Sequence, residues 1–553
     1  MKNIFCILFL LPSLLFAQQN LPLNREWGLS NERSFSLIDD VEDTTASLNN
    51  KTEKVYSAYT SSFKPTIVPI ILQKKDKSRS LIYRKLKQES LFIVNDPADK
   101  FQLSIDPLFN LEFGMDLADS SAEKLYKNTR GFLVRGSIGE KFAFESSFYE
   151  NQATYAKYID DYIDGTDDLF PQTANYRYAV VPGQGRSKDF KKNGYDYAMA
   201  SGSISYSPIK LFNIQIGHGK HFVGDGYRSL LLSDNSFNYP FARLTTTYKN
   251  IQYTNLYTSF MNLTNGGVKT PPYVERLFQK KTGSFQFLSV NLFHRLQIGL
   301  FQGMIWEAAD TNNRQHTNFN TFNPVIGVNA LAFGLHNKNN VLLGATLKLK
   351  ITSSISLYGQ FMLDDVYSNK GRGDIRKKYG YQAGLKYFDV FTIKNLHFQM
   401  EYNSVRPYAY ASENAYQSYT HYNQALAHPL GANFYEMVGF INYRLNDFFL
   451  QLKANYALKG NDSLNTNFGG NVFKADNLFP IAQDLDNIST TQGLKTAIIY
   501  QDFHIGYLVN PVTNFNIVLG FTNRIEKTEK QTNTTQFVYF GIRTSIANLY
   551  YDF

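Results

Sequence analysis

The chain has 553 residues and a formal net charge of +9, with 56 Lys and Arg against 47 Asp and Glu. Its mean hydropathy is −0.31, yet 43% of residues are apolar and 15% aromatic, with 38 Tyr and 45 Phe against 2 Trp. Cys6 is the one cysteine, which excludes a disulfide framework or a cysteine metal centre, and this much Tyr and Phe suits short alternating strands with aromatic girdles or a large β-sandwich.

Residues 1–17 read as a signal peptide: Lys2 gives a positive start, the run Ile4 to Phe16 is apolar, and Ala17 is a small residue for cleavage. The run is too short to span a bilayer as an anchor, and no later stretch approaches the roughly 20 apolar residues of a membrane helix. Residues 18–100 are polar and irregular, and contain the basic stretch KKDKSRSLIYRKLK (74–87). They are expected to form a periplasmic extension or plug segment, the bases coating a solvated face rather than binding nucleic acid.

Strand chemistry starts at Phe101. Phe101, Leu103, Ile105, Phe109, Leu111, Phe113 and Met115 share one face, while Gln102, Ser104, Asp106, Asn110, Glu112 and Asp116 share the other. Successive side chains of a strand point to opposite sides, so one face meets apolar surroundings and the other water. The period recurs over 341–351, 396–403 and 448–458, placing Lys348, Lys350, Glu401 and Lys453 on polar faces. Eight short turns (near 139–141, 208–210, 249–250, 293–295, 352–354, 389–394, 445–447 and 510–514) alternate with nine longer connections. These lie near 117–128, 151–196, 219–240, 263–283, 307–339, 365–377, 405–433, 460–491 and 527–535. Short turns on one side and long loops on the other predict an all-β, transmembrane antiparallel barrel of about 18 strands (range 16–20) over residues 101–553. Both termini then lie in the periplasm. Residues 323–336 could add a strand pair or a short helix within a loop. Val538, Phe540, Ile542, Thr544 and Ile546 alternate toward the ending LYYDF. Tyr551 and Phe553 are therefore expected to carry the closure signal read by the barrel-assembly machinery, with a bulge or strand end near Asn548.

No GxSxG elbow, HExxH pair or Walker loop is present, so the expectation is a non-enzymatic protein without a cofactor. Three loop segments carry other chemistry. DDYIDGTDD (160–168) offers Asp160, Asp164 and Asp168 as weak Ca²⁺ ligands, though its spacing is not that of an EF-hand and a solvated acidic loop explains it as well. KGRGDIRKKYG (370–380) offers Arg372, Arg376, Lys377 and Lys378 to acidic polysaccharide or lipopolysaccharide. GHGKHFVGDGYRSLLLSDN (217–235) has glycines at 217, 219, 224 and 226, which suggest close backbone approaches or positive φ. It is expected to fold inward as a constriction or plug, with Lys220, His221, Asp225, Tyr227 and Arg228 lining it. Arg228 is the first choice for an anion, a carboxylate either of a uronic-acid sugar or of an Asp of the barrel wall.

That segment, with Tyr239, Pro240 and Phe241 after it, resembles the signature of the capsule-assembly (Wzi-type) outer-membrane barrels. The ending YLVNPVTNFNIVLGFTNR (507–524) and FGIRTSIANLYYDF (540–553) is similar to the RemB-type gliding-motility version of that family. The resemblance runs from about residue 101 to Phe553 and implies an 18-stranded barrel in the outer membrane. It also implies a role in gliding motility, capsule assembly or polysaccharide attachment, with outer-membrane lipid, lipopolysaccharide, acidic surface polysaccharide and motility proteins as partners. A porin or solute channel is the alternative, because the polar faces would suit a wet pore.

Overall fold

The computed structural model describes residues 63–64 and 78–553, apart from 97, 122, 140, 166–178, 210, 264–277, 294, 308–321, 334–338, 370–373, 463–465, 478–487, 545 and 547. Eighteen antiparallel strands close into one barrel. In chain order they are β1 (Phe101–Asp116), β2 (Lys124–Ile138), β3 (Phe142–Thr154), β4 (Gly194–Ile209), β5 (Phe212–Gly219) and β6 (Tyr239–Tyr248). Then come β7 (Ile251–Asn262), β8 (Gln279–Leu292), β9 (Leu296–Glu307), β10 (Asn340–Lys350), β11 (Ile355–Asn369) and β12 (Asp374–Tyr387). The wall ends with β13 (Leu396–Val405), β14 (Phe434–Leu445), β15 (Phe448–Asn461), β16 (Leu494–Asn510), β17 (Phe515–Lys527) and β18 (Thr532–Arg543). The eight turns and nine loops fall where the alternation places them. The sixth wide connection is the exception: β11 and β12 extend through most of 365–377, leaving 370–373 between them.

The wall is inside-out relative to a soluble protein. Leu300, Phe361, Leu519 and Phe540 are 45–55% exposed on its outer face, whereas Glu401, Asn403 and Glu436 are buried on its inner face. An apolar exterior around a polar interior is what a bilayer demands of strands, since closure leaves no unpaired edge in lipid.

Closure differs in detail from the expectation. β18 pairs with the upper part of β1, from Phe537 opposite Asp116 to Arg543 opposite Asn110. Below that the same edge of β1 is taken by residues upstream of Phe101. Phe92–Asp96 form a short strand whose Phe92 faces Ile105 and Asp96 faces Phe101. Helix α1 (Leu81–Lys87), capped by Ser80 Oγ accepting from Tyr83 N, packs against β16, where Asn510 Nδ2 donates to Lys85 O at 3.2 Å. Lys87 Nζ donates to Tyr507 OH at 2.8 Å, and Asp106 accepts from Ser90 Oγ and Leu91 N, both at 3.1 Å. The end of the basic stretch is thus fastened to β16 through Lys87, and the residues just after it to β1 through Asp106. Tyr551 and Phe553 lie in no strand. After Arg543 the chain leaves the sheet, and Ile546 packs inward against Leu108, Leu133, Tyr149 and Met199.

Candidate functional site

The loop after β5 does not stay outside. From Lys220 to Ser236 nearly every residue is buried, and its partners lie on the far wall. Asp225 pairs with Lys348 of β10 at 3.1 Å. Gln360 of β11 donates to Val223 O and accepts from Leu230 N, both at 2.8 Å. Glu401 of β13 accepts from the Tyr227 and Arg228 amides at 2.7 and 3.0 Å. A Cβ on Gly226 would sit 2.2 Å from Glu401 Oε2, and Gly224 holds φ at +143°, so both glycines are needed for this approach. Hydrophobic burial adds to it: Leu230, Leu231 and Leu232 have no exposed surface. They pack with Tyr410, Tyr419 and Leu426 of the loop between β13 and β14. Tyr410 OH and Tyr419 OH donate to the Leu230 and Leu231 carbonyls at 2.8 and 2.6 Å.

Arg228 is the hub of this plug. Its guanidinium forks onto Glu436 of β14 (Nη2 to Oε1 2.7 Å, Nε to Oε1 3.2 Å) and also meets Asp552 Oδ2 at 3.1 Å. All three side chains are fully buried. Lys453 Nζ and Tyr227 OH hold the same Asp552 oxygen at 3.1 and 2.8 Å. His428 Nε2 lies 2.6 Å from Glu436 Oε2, and Asn403 and Asn455 each donate to Glu436 at 3.0 and 2.9 Å. Burial works to raise the Asp552 carboxyl, but Arg228 and Lys453 outweigh it and hold it down to about 2. A charge cluster this dry is strongly interdependent, because removing one member strands the others without water.

The cluster ties the C-terminal stretch into the lumen. Tyr550 OH and Asn548 Nδ2 donate to Asp234 at 2.6 and 3.0 Å. Phe553 packs on Tyr162 with ring centroids 4.8 Å apart, and its carbonyl accepts from Arg524 Nε at 3.0 Å. Tyr162 belongs to helix α2 (Lys157–Asp164) of the loop after β3. Residues 63–64 also reach this region, pairing with Phe222 and Val223. Between the C-terminal stretch and the wall from β15 through β18 to β2 lies a cavity of about 310 Å³. It is lined by both charge signs and by tyrosines, among them Lys127, Asp502, Tyr500, Tyr539 and Tyr551. Two polar atoms of its wall residues, Asn110 Oδ1 and Tyr126 OH, are buried without a hydrogen-bond partner among the described residues.

All five residues chosen from the glycine-rich segment therefore enter the lumen, but they do not converge. Tyr227 and Arg228 meet at the hub and Asp225 stands on β10. Lys220 Nζ donates to the Gly183 and Asp234 carbonyls at 2.6 and 3.2 Å, its ammonium pushed down to about 8 by burial against the pull of Asp234. His221 lies between Tyr239 and Phe241. Burial, with Arg243 nearby, holds it well below its ordinary value. Arg228's anion is a glutamate of the wall together with an aspartate near the end of the chain.

The basic-loop group needs correction. Arg376, Lys377 and Lys378 lie on β12 rather than in a loop, and Lys378 is buried against Asp476 and the Ala411 carbonyl. Arg372 lies outside the described residues. The acidic segment is partly helical: Asp160 and Asp164 sit on α2, and Tyr195 OH donates to Asp164 at 3.2 Å. Asp168 lies outside the described residues, among which no group of three or more His, Cys, Asp or Glu is placed to hold a metal ion. Glu436, His428 and Asp552 escaped sequence reasoning. The available signal was a glutamate inside the apolar run FYEMVGF (434–440).

No family model and no curated protein matches this chain. Among solved structures it is similar to Wzi of Escherichia coli, described as an outer-membrane protein involved in group 1 capsule assembly and a carbohydrate-binding β-barrel. The identity is 11%, over 96% of this chain and 100% of that one, with a TM-score of 0.49. OccAB2 of Acinetobacter baumannii matches at 11% identity over 80% of this chain and 98% of its own, with a TM-score of 0.41. OprD of Pseudomonas aeruginosa matches at 9% over 80% and 94%, also at 0.41.

Proposed function

We propose that this chain is a non-enzymatic barrel of the bacterial outer membrane that helps assemble or hold surface polysaccharide at the cell surface and supports gliding motility. The observation that carries this reading is the buried Arg228–Glu436–Asp552 cluster, which fastens an inward loop and the C-terminal stretch across the lumen. An 18-stranded barrel without such a filling is wide enough for an aqueous channel; one filled from within serves as a platform whose outward surfaces do the binding. The resemblance of residues 217–235 to capsule-assembly barrels supports polysaccharide as the partner, and that of residues 507–553 supports the motility role. Lipopolysaccharide is the further surface partner.

A gene deletion scored for capsule retention and for spreading on agar tests the proposal. Loss of either is expected; normal capsule together with normal spreading sinks it. The porin alternative is favoured by the polar inner face and by the cavity beside Tyr539. Planar-bilayer recordings separate the two: the plugged reading expects closed or flickering barrels, and a large, steady conductance would establish a channel instead.

A further inference from the structure

The outer wall carries one patch that a lipid-facing surface should not have. On β7, β8 and β9 the positions in register with the outward Leu300 are polar over several rows. Tyr253 faces Leu288, Asn255 faces Gln286, Tyr257 faces Ser284, and Gln286 faces Gln302. Their parity is opposite to that of Phe285, Phe287 and Phe301, which pack into the lumen core. Gln286, Gln302 and Ser284 are nonetheless fully buried. The covering layer is residues 322–333, which include helix α3 (Val328–Phe333), the segment expected to be a strand pair or helix within a loop.

The contacts are between wall side chains and strap backbone. Tyr257 OH donates to Phe322 O at 3.1 Å and Gln286 Nε2 to Asn323 O at 3.3 Å. Tyr253 OH donates to Pro324 O and accepts from Ile326 N at 3.0 Å. Gly327 N donates to Gln302 Oε1 at 2.9 Å, and Asn323 Oδ1 accepts from Val325 N at 3.0 Å. Gln302 and Gln286 also bond each other at 2.9 Å. Irregular backbone is excluded from hydrocarbon unless its polar groups are satisfied by protein. Here Tyr253, Tyr257, Gln286 and Gln302 each meet a backbone group of the strap, and Ser284 Oγ accepts from Gln286 Nε2 at 2.7 Å. The strap turns the opposite chemistry outward: Phe322, Val325, Val328 and Leu331 are 48%, 53%, 39% and 88% exposed. They continue the apolar surface of Leu300 and Leu347 on the same wall.

We infer that residues 322–333 are a lipid-embedded strap, a loop folded down the outside of the barrel whose outer surface binds the hydrocarbon of the bilayer. The inference rests on the membrane-spanning reading of the barrel. It makes the β7–β10 wall a built protein–lipid interface rather than a plain strand surface.

Site-directed spin labelling tests it in the full chain with Cys6→Ala, reconstituted in phosphatidylcholine vesicles. Nitroxides go singly on Val325→Cys and Leu331→Cys, with Leu300→Cys as the wall control and Leu117→Cys as the loop control. Oxygen, which partitions into hydrocarbon, and a water-soluble nickel chelate are compared as collision partners. Strap labels should match the wall control, favouring oxygen about fivefold or more over the loop control. Nickel access at 325 and 331 with oxygen preference at 300 overturns the strap and leaves the membrane barrel intact; nickel access at 300 as well overturns both. In Gln286→Leu/Gln302→Leu the wall stays apolar but loses its bonds to the strap, so the strap labels should gain nickel access. Strap labels unchanged in that background overturn the anchoring role. If the double variant does not accumulate, Tyr253→Phe, which removes a single hydroxyl, is judged by the same two outcomes.

Discussion

Arg228 shows what a sequence can and cannot say about a single residue. Its residue type and its glycine-rich setting marked it as the anion-binding member of an inward loop, because a planar fork suits a carboxylate. Which carboxylate was open, since Glu436 is 208 positions away and Asp552 is 324 away, and periodicity carries no information about contacts across a lumen. Arg228→Met keeps the volume and removes the charge, leaving Glu436 and Asp552 buried without the guanidinium that both share. Breaking a buried pair in this way costs about 3–5 kcal/mol. Plug opening should therefore become about two to four orders of magnitude more frequent, while the 18-strand ladder is untouched. Hydrogen exchange of the 220–238 amides measures it: they should exchange much faster in the variant, with wall amides unchanged. Arg228→Lys should rescue little, because one ammonium cannot reproduce the fork. Wild-type protection in Arg228→Met would remove the hub from the account of the plug.

Among the elements, the strands of the wall were legible and their ends were not. Alternation in 101–116 identifies both faces of β1, and the polar face is indeed the buried one. Alternation at 538–546 identifies β18 equally well, yet it continues three residues past the strand. Period two records which side chains share a face, not whether a backbone partner exists. Thr544 shows the difference, its hydroxyl and amide spent on Phe109 as the chain turns inward. The Phe92–Asp96 strand was missed for the complementary reason: five residues with Asn95 and Asp96 at the end offer too short a pattern. These placements show that the last residues are not the closing strand, and they bear on what a truncation should do. Because β18 closes on β1 through Arg543, removal of residues 549–553 should leave a heat-modifiable, protease-resistant barrel. What it should lose is the Asp552 and Tyr550 fastening, so single-channel recordings should show a larger open fraction than the full chain. Failure of the truncated chain to accumulate as folded barrel would return the closing role to Tyr551 and Phe553.

At the scale of the whole molecule the filling is two coupled layers with opposite responses to acid. His221, His421 and His428 are buried in the two interlocking loops, 220–238 and 406–433. Burial depresses all three: His221 well below its ordinary value, His421 to about 3, and His428 against the pull of Glu436. Arg243 adds to the effect on His221 and Lys281 to that on His421. A histidine whose folded pKa lies below its free value near 6.5 is held neutral, and the opened state binds the proton more readily. Its contribution is complete above pH 6.5 and is lost as pH falls toward the folded value. Between pH 6.5 and 5, His421 withdraws about 2 kcal/mol from the closed plug, and His221 acts in the same direction. Asp552, held to about 2, stays ionised throughout that window, so the hub does not mask the effect. Helix α2 runs the other way. Asp160 is pushed up to about 8 by burial and by Asp164 and Asp161, and a carboxyl with a raised folded pKa favours the packed state once protonated. Acidification from pH 7.5 to 5 should therefore lower the protection of amides in 220–238 and 406–433, measured relative to their intrinsic exchange rates at each pH, and raise it in 157–164, with the protection of strand amides of the wall unchanged. His421→Asn should flatten the first response without altering the second. A uniform change across all three segments, or none, would show that the histidines do not set the acid stability of the plug.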